Sequence, residues 1–193
     1  MDYKTLAICI IQVIAILSYA GASADEMEPS FDKADWISAE STSLIIYFRP
    51  ETDLKALQRK LNSKAFFSGQ ITAYSEVDPQ KAICDRMDSV FNEVKNILGV
   101  HPAMPKVKIK IFKDTDELNG AYFMLFGKKG DSKSFYVKKY NTIYTSENTM
   151  TDPVMAHEMA HAVIDHYLPA IPSEVVGEMM ASYVGAYFDK SKD

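Results

Sequence analysis

The sequence predicts an α+β domain, on three observations. Its 193 residues are 47% hydrophobic, the size and composition of one globular core and short for two. Strand-like runs recur through the first part of the chain and end in a tight pair at 134–138 and 142–146. Two capped helical segments then close it, so strands come first and helices last.

The elements follow in order from local signals. Residues 1–24 read as a signal peptide: Lys4 gives a positive start, Leu6 to Leu17 is apolar almost throughout, and Ala22-Ser23-Ala24 has the small-x-small form of a cleavage site. That run is shorter than the roughly 20 residues of a spanning helix. The expectation is export, periplasmic or secreted, with no stable membrane insertion after cleavage. Residues 25–39 are polar and weakly patterned, an expected loose leader, which leaves 40–193 as the single domain. Ser43 to Arg49 is a β-branched and aromatic run stopped by Pro50, hence a buried strand. Leu54, Leu57 and Leu61 recur at helical spacing between Asp53 and Asn62. Asp78-Pro79 opens a stronger helix, with Ile83, Met87, Val90, Phe91, Val94, Ile97 and Leu98 on one face before Gly99 closes it.

Lys106 to Phe112 alternates, with Val107, Ile109 and Ile111 inward against Lys106, Lys108 and Lys110, a strand with one wet face. Asp114 to Phe126 reads as helix and Gly127 to Asp131 as a turn-rich loop. Ser134 to Lys138 and Thr142 to Ser146 form a hairpin about Tyr140-Asn141. Asp152-Pro153 caps a helix to about Tyr167, Pro169 and Pro172 bracket a loop, and Ser173 caps a last helix to about Phe188.

Charge and cysteines narrow the function classes. The formal net charge is −5 and the basic residues are dispersed, so there is no electrostatic case for nucleic acid. Cys9 falls in the signal and Cys84 stands alone in the domain, which excludes an internal disulfide; stability rests on the core or on a metal.

His157-Glu158-Met159-Ala160-His161 is a His-Glu-x-x-His match in the first of the two closing helices. Residues four apart differ by only about 40° around a helix axis, so both imidazoles leave one face and can meet one ion. Glu158 is offset from that face and suited to touch a water there. The helix is apolar nearly all round, which predicts buried histidines whose desolvation a metal would offset. A catalytic zinc takes three protein ligands, so a third must come from elsewhere.

On these residues the chain resembles the gluzincins, thermolysin-like zinc metallopeptidases in which a second helix carries a Glu in a Glu-x-x-Ala setting, here Glu178 to Ala181. The run His157 to Asp165, the preceding strand Thr142 to Ser146 and the late Tyr183-Val184 belong to the same resemblance. It implies a zincin-like fold: a small N-terminal mixed sheet with helices, an active-site helix, and a C-terminal helix bearing the third ligand. It further implies one zinc ion per chain held by His157, His161 and Glu178, with Glu158 as general base and a peptide or protein as substrate. Glu174, one turn earlier, is the rival third ligand, but as the first-turn residue after Ser173 it is explained by the helix dipole. The family places Asp where Ser182 stands, leaving Ser182, a weaker substitute, or Asp165 to orient a ligand imidazole; Asp165 reads equally as a solvated acid near the end of its helix.

His166, Tyr183 and Tyr187 are candidate oxyanion donors. Singly, each is better explained as a wet helix end or as part of a packing stripe with Val175, Val176, Met179, Met180 and Val184. Thr142 to Ser146 is either a sheet edge that pairs with an extended substrate or an ordinary internal strand. The leading functional expectation is an exported zinc metallopeptidase; the alternative is a non-catalytic zinc-binding or degenerate zincin domain acting as a binding module.

Overall fold

The computed structural model describes residues 36–62, 78–167 and 173–190; the expected signal peptide, the first part of the expected leader and the Pro169 to Pro172 loop lie outside these. Strands β1 (Ile37–Glu40), β2 (Leu44–Phe48), β3 (Val107–Phe112), β4 (Ser134–Val137) and β5 (Thr142–Ser146) form one sheet in the order β1-β2-β3-β5-β4. β2, β3 and β5 are parallel, and β1 and β4 pair antiparallel at the two edges. The helices are α1 (Leu54–Asn62), α2 (Pro79–Ile97), α3 (Thr115–Phe126), α4 (Asp152–Tyr167) and α5 (Glu174–Lys190). The expected α+β class is therefore observed, as a mixed sheet with helices.

Caps account for where the helices start and stop. Asp78 accepts from the Gln80 backbone N–H ahead of α2, and Asp114 accepts from Asp116 and Glu117 ahead of α3. Gly127 ends α3 at φ 66°, a left-handed conformation that glycine adopts without a Cβ penalty. The β4–β5 hairpin turns through a single 3-10 turn at Lys138–Tyr140 and a left-handed Asn141.

Two cores lie on opposite faces of the sheet. Ile46, Ile109 and Ile143 align across β2, β3 and β5, all fully buried, and they join α1, α2, α4 and α5 in the larger core. On the other face Phe112, Phe135 and Tyr144 pack with Leu118 and Ala121 of α3, the Phe135 and Tyr144 rings stacked at 5.0 Å.

Long-range contacts correct two expectations and decide a third. The loose leader was to run to Ala39, yet Ile37 to Ala39 lie in edge strand β1. The turn that follows is fixed by the Asp88 carboxylate of α2, which accepts from the Ser41 hydroxyl and from the Thr42 and Ser43 backbone N–H groups. The β3 alternation holds, but its second face is only partly wet: Lys108 and Lys110 are half-buried and Phe112 is buried in the second core. The strand before α4, β5, is internal and buried at every position, and β4 is the edge on that side.

Candidate functional site

The site is built on the α4–α5 pair. α4 leaves β5 through a turn fixed by Met150 N–H donating to the Ser146 carbonyl at 2.9 Å and by the Ser146 and Thr149 hydroxyls at 2.8 Å. Arg86 of α2 ion-pairs with Asp152 in the first turn of α4, where a carboxylate also favours the helix dipole. Met155, Ala156, Met159, Ala160, Ala162 and Val163 are fully buried, so α4 is an interior helix held against the sheet.

α5 packs on α4, with Ala181, Val184 and Gly185 buried and Gly185 against α4. A Cβ on Gly185 would stand 3.1 Å from the Pro153 carbonyl and 3.4 Å from the His157 Cβ. The glycine lets the two backbones approach closely enough for α5 to deliver a carboxylate to the α4 histidines. His157 Nε2 and His161 Nε2 are 3.1 Å apart; Glu178 Oε2 is 3.6 Å from the first and Glu178 Oε1 is 3.3 Å from the second. Among the described residues this is the group of three acidic, histidine or cysteine side chains close enough to share one ion. Contrary to expectation the histidines are not fully buried. Their side chains keep 28% and 21% exposure and open to solvent, because α5 covers them with small residues and not with a full layer.

The electrostatics differ between His157 and Glu158. Burial lowers the His157 pKa, the His161 ring lowers it further, and Glu178 with the Ala181 carbonyl oppose this. A neutral imidazole offers one ring nitrogen as a lone pair. Neither Ser182 nor Asp165 is hydrogen-bonded to His157 or His161. Asp165 instead pairs with Lys138 at 3.2 Å, and Ser182 is exposed on the wall of the cleft. Glu158 is only 6% exposed, and burial pushes its carboxyl up to about 7. The Ser134 hydroxyl, 2.8 Å from Oε1, and the Tyr136 backbone hydrogen bond oppose that rise, and the nearby Glu178 charge adds to it.

A cleft of about 460 Å³ runs between β4, α4 and α5, lined by Ser132, Lys133, Ser134, Val154, His157, Glu158, Ser182 and Ala186 among others. A second, more apolar groove of about 670 Å³ follows α5 past Glu174, Val175, Glu178, Met179, Ser182 and Tyr183. Glu174 borders that groove and is not in the three-residue cluster. His166 is exposed at the end of α4, ring to ring with Tyr167 at 5.2 Å. The expected α5 packing stripe is corrected: Val175, Val176, Met179, Tyr183 and Tyr187 are 45–67% exposed, and only Met180 and Val184 pack on the core.

Sequence reasoning missed Ser134 and the Tyr136 backbone, which approach Glu158 from a strand 22 to 24 residues away. It also missed Gly185 and the Ala181 carbonyl. The row Gly177, Ala181, Gly185, small residues four apart, was the available signal for the α5 contact face. No protein-family model, curated protein or solved structure matches this chain.

Proposed function

We propose that the protein is an exported zinc-dependent metallopeptidase of zincin-like fold, in which His157, His161 and Glu178 hold the ion and Glu158 is the general base. The convergence of the three ligand groups carries this reading. A tetrahedral ion bonded at roughly 2.0–2.2 Å to nitrogen and oxygen keeps its ligand atoms about 3.4 Å apart; here the two Nε2 atoms are 3.1 Å apart, each has a different Glu178 oxygen at 3.3 or 3.6 Å, and one ligand atom from each residue lies within 4.8 Å of the others, so a turn of the exposed Glu178 carboxylate would complete the set. Bound zinc supplies positive charge that polarises a peptide carbonyl and eases removal of a water proton.

The rest of the chemistry belongs to the chain's own residues. Glu158 lines the cleft beside His157 and is placed to take a proton from water and return it to the leaving amine. A carboxylate has room for about four hydrogen bonds, so the Ser134 donor still leaves capacity for that proton. β4 supports a peptide as substrate: it ends the sheet beside the cleft, and an extended chain meets a sheet edge as an added strand. The export half of the proposal rests on residues 1–24; among the described residues no helix is long and apolar enough to cross a membrane.

Glu158→Gln tests the proposal with zinc content and cleavage of a fluorescence-quenched peptide library measured together. The variant is expected to keep its zinc and lose about 10²- to 10⁴-fold in turnover. Equal behaviour of wild type and variant on every peptide would leave the binding-module reading instead.

A further inference from the structure

We propose that Ser134 is a positioning residue for Glu158: its hydroxyl fixes the orientation of the carboxylate at the wall of the cleft. The inference rests on the reading of Glu158 as the base and adds a residue that no motif contains.

Three observations carry it. The Ser134 Oγ donates to Glu158 Oε1 at 2.8 Å, a short and fully interior hydrogen bond between elements 24 residues apart. Ser134 is 8% exposed at the start of a strand whose other members, Phe135, Tyr136 and Val137, are all large and apolar, so a hydroxyl here is not a surface residue. The register sets the direction: Ser134 pairs with Thr145, Thr145 with Ile111, and Ile111 belongs to the face on which α4 packs. The Ser134 side chain therefore faces α4, the helix that carries Glu158.

The arrangement has a mechanical consequence. The carboxylate torsion of a glutamate is broad and has no strong intrinsic preference. The Ser134 hydroxyl gives the carboxylate a fixed point of attachment and restricts how its plane turns. Ser134 also lines the cleft with His157 and Glu158, so it stands where a carboxylate must be aimed for proton transfer.

Thr and Val at position 134 separate the hydroxyl from the packing, since the two side chains have nearly the same shape. The full-length protein carrying Ser134→Thr, Ser134→Val or Ser134→Ala is compared with wild type for zinc content, circular dichroism, and kcat and KM on one quenched peptide chosen from the wild-type library. The expected result is full zinc in all forms, with kcat down about 10- to 100-fold in the Val and Ala variants, KM within about twofold, and the Thr variant near wild type. Val or Ala variants with wild-type kcat overturn the proposal. So does a Thr variant as impaired as Val, which would show that shape and not the hydroxyl matters. If Val does not fold, Ala against wild type decides the same question. Wild type that holds no zinc and cleaves no peptide is a failure of the metallopeptidase reading itself and removes this inference with it, a result distinct from selective loss of kcat in a zinc-loaded variant.

Discussion

α4 and α5 are neighbours of similar length and composition, rich in Ala, Met and Val, and both contribute to the candidate site, yet they live in different environments. α4 buries Met155, Ala156, Met159, Ala160, Ala162 and Val163 completely between the sheet and α5. α5 buries only its small-residue row with Val184 and turns Val175, Met179, Tyr183 and Tyr187 outward. The difference lies in layer position. An interior helix is covered on several sides, whereas the last helix added to a domain touches what it packs on and leaves the rest to solvent. Glu158 therefore sits in a dry wall, His157 and His161 stand at its solvent edge, and Glu178 comes from the more exposed helix.

Methionine on each helix gives the largest expected contrast. Met159 is fully buried and Met179 is 67% exposed. Met159→Ala is expected to lower unfolding stability by about 2–5 kcal/mol, and Met179→Ala to stay within about 0.5 kcal/mol of wild type, both by urea denaturation. Similar losses from both would mean that α5 has a packed partner on its outer face.

The two glutamates sharpen the comparison through pH. Glu158 is 6% exposed whereas the Glu178 side chain is 56% exposed. Since burial raises Glu158 from an ordinary 4.5 to about 7, its contribution to stability is fully present below pH 4.5 and is lost as pH rises through 7. That shift corresponds to a loss on the order of 3 kcal/mol in chelator-treated protein. Glu158→Gln stays neutral throughout, so its urea midpoint should exceed that of wild type by a margin that grows from pH 4.5 to 7 and then levels. The lowered His157 pKa acts in the opposite direction, with stability lost as pH falls below 6.5, but it is common to both proteins and cancels in the difference. Parallel pH curves would show that Glu158 is not held in a dry wall.

Two α5 glycines give the smallest effects, of opposite sign. A Cβ at Gly177 meets nothing within 4 Å, so Gly177→Ala should gain about 0.5–1 kcal/mol from helix propensity. At Gly185 the same methyl meets the Pro153 carbonyl at 3.1 Å, and the helices must part by a few tenths of an ångström. Gly185→Ala should therefore lose stability by about 1 kcal/mol and weaken metal affinity, because the separation falls between the histidines and Glu178. A thermal midpoint raised equally by both substitutions would mean that the seam does not set the ligand geometry.

What the sequence made legible follows from how local each signal is. Asp78-Pro79, Asp114 and Gly127 mark helix ends through their own backbone preferences, and Val107, Ile109 and Ile111 mark a strand by alternation. The i, i+4 spacing of His157 and His161 dictates that they meet. Sheet order is not local: nothing in Ser134 to Val137 or Thr142 to Ser146 distinguishes the edge strand from the internal one, so β5 was open to both readings and β4 supplies the edge. β1 is only four residues long, too short for its Ile-Ser-Ala-Glu alternation to signal a strand, and is defined by its pairing with β2. The outward stripe of α5 has the periodicity of a core stripe, and only the absence of a further layer over it among the described residues exposes it. Glu178 and Glu174 lie on one side of α5, one turn apart, and the helix crossing brings the first to the histidines.

The central claim is that α4 and α5 together hold one zinc ion. Elemental analysis of the purified protein beside its Glu178→Ala and Glu174→Ala variants tests it most directly. The account expects about one zinc per chain in wild type and in Glu174→Ala, and little or none in Glu178→Ala. Wild type that takes up no zinc when it is offered, or zinc held equally by all three proteins, would contradict it.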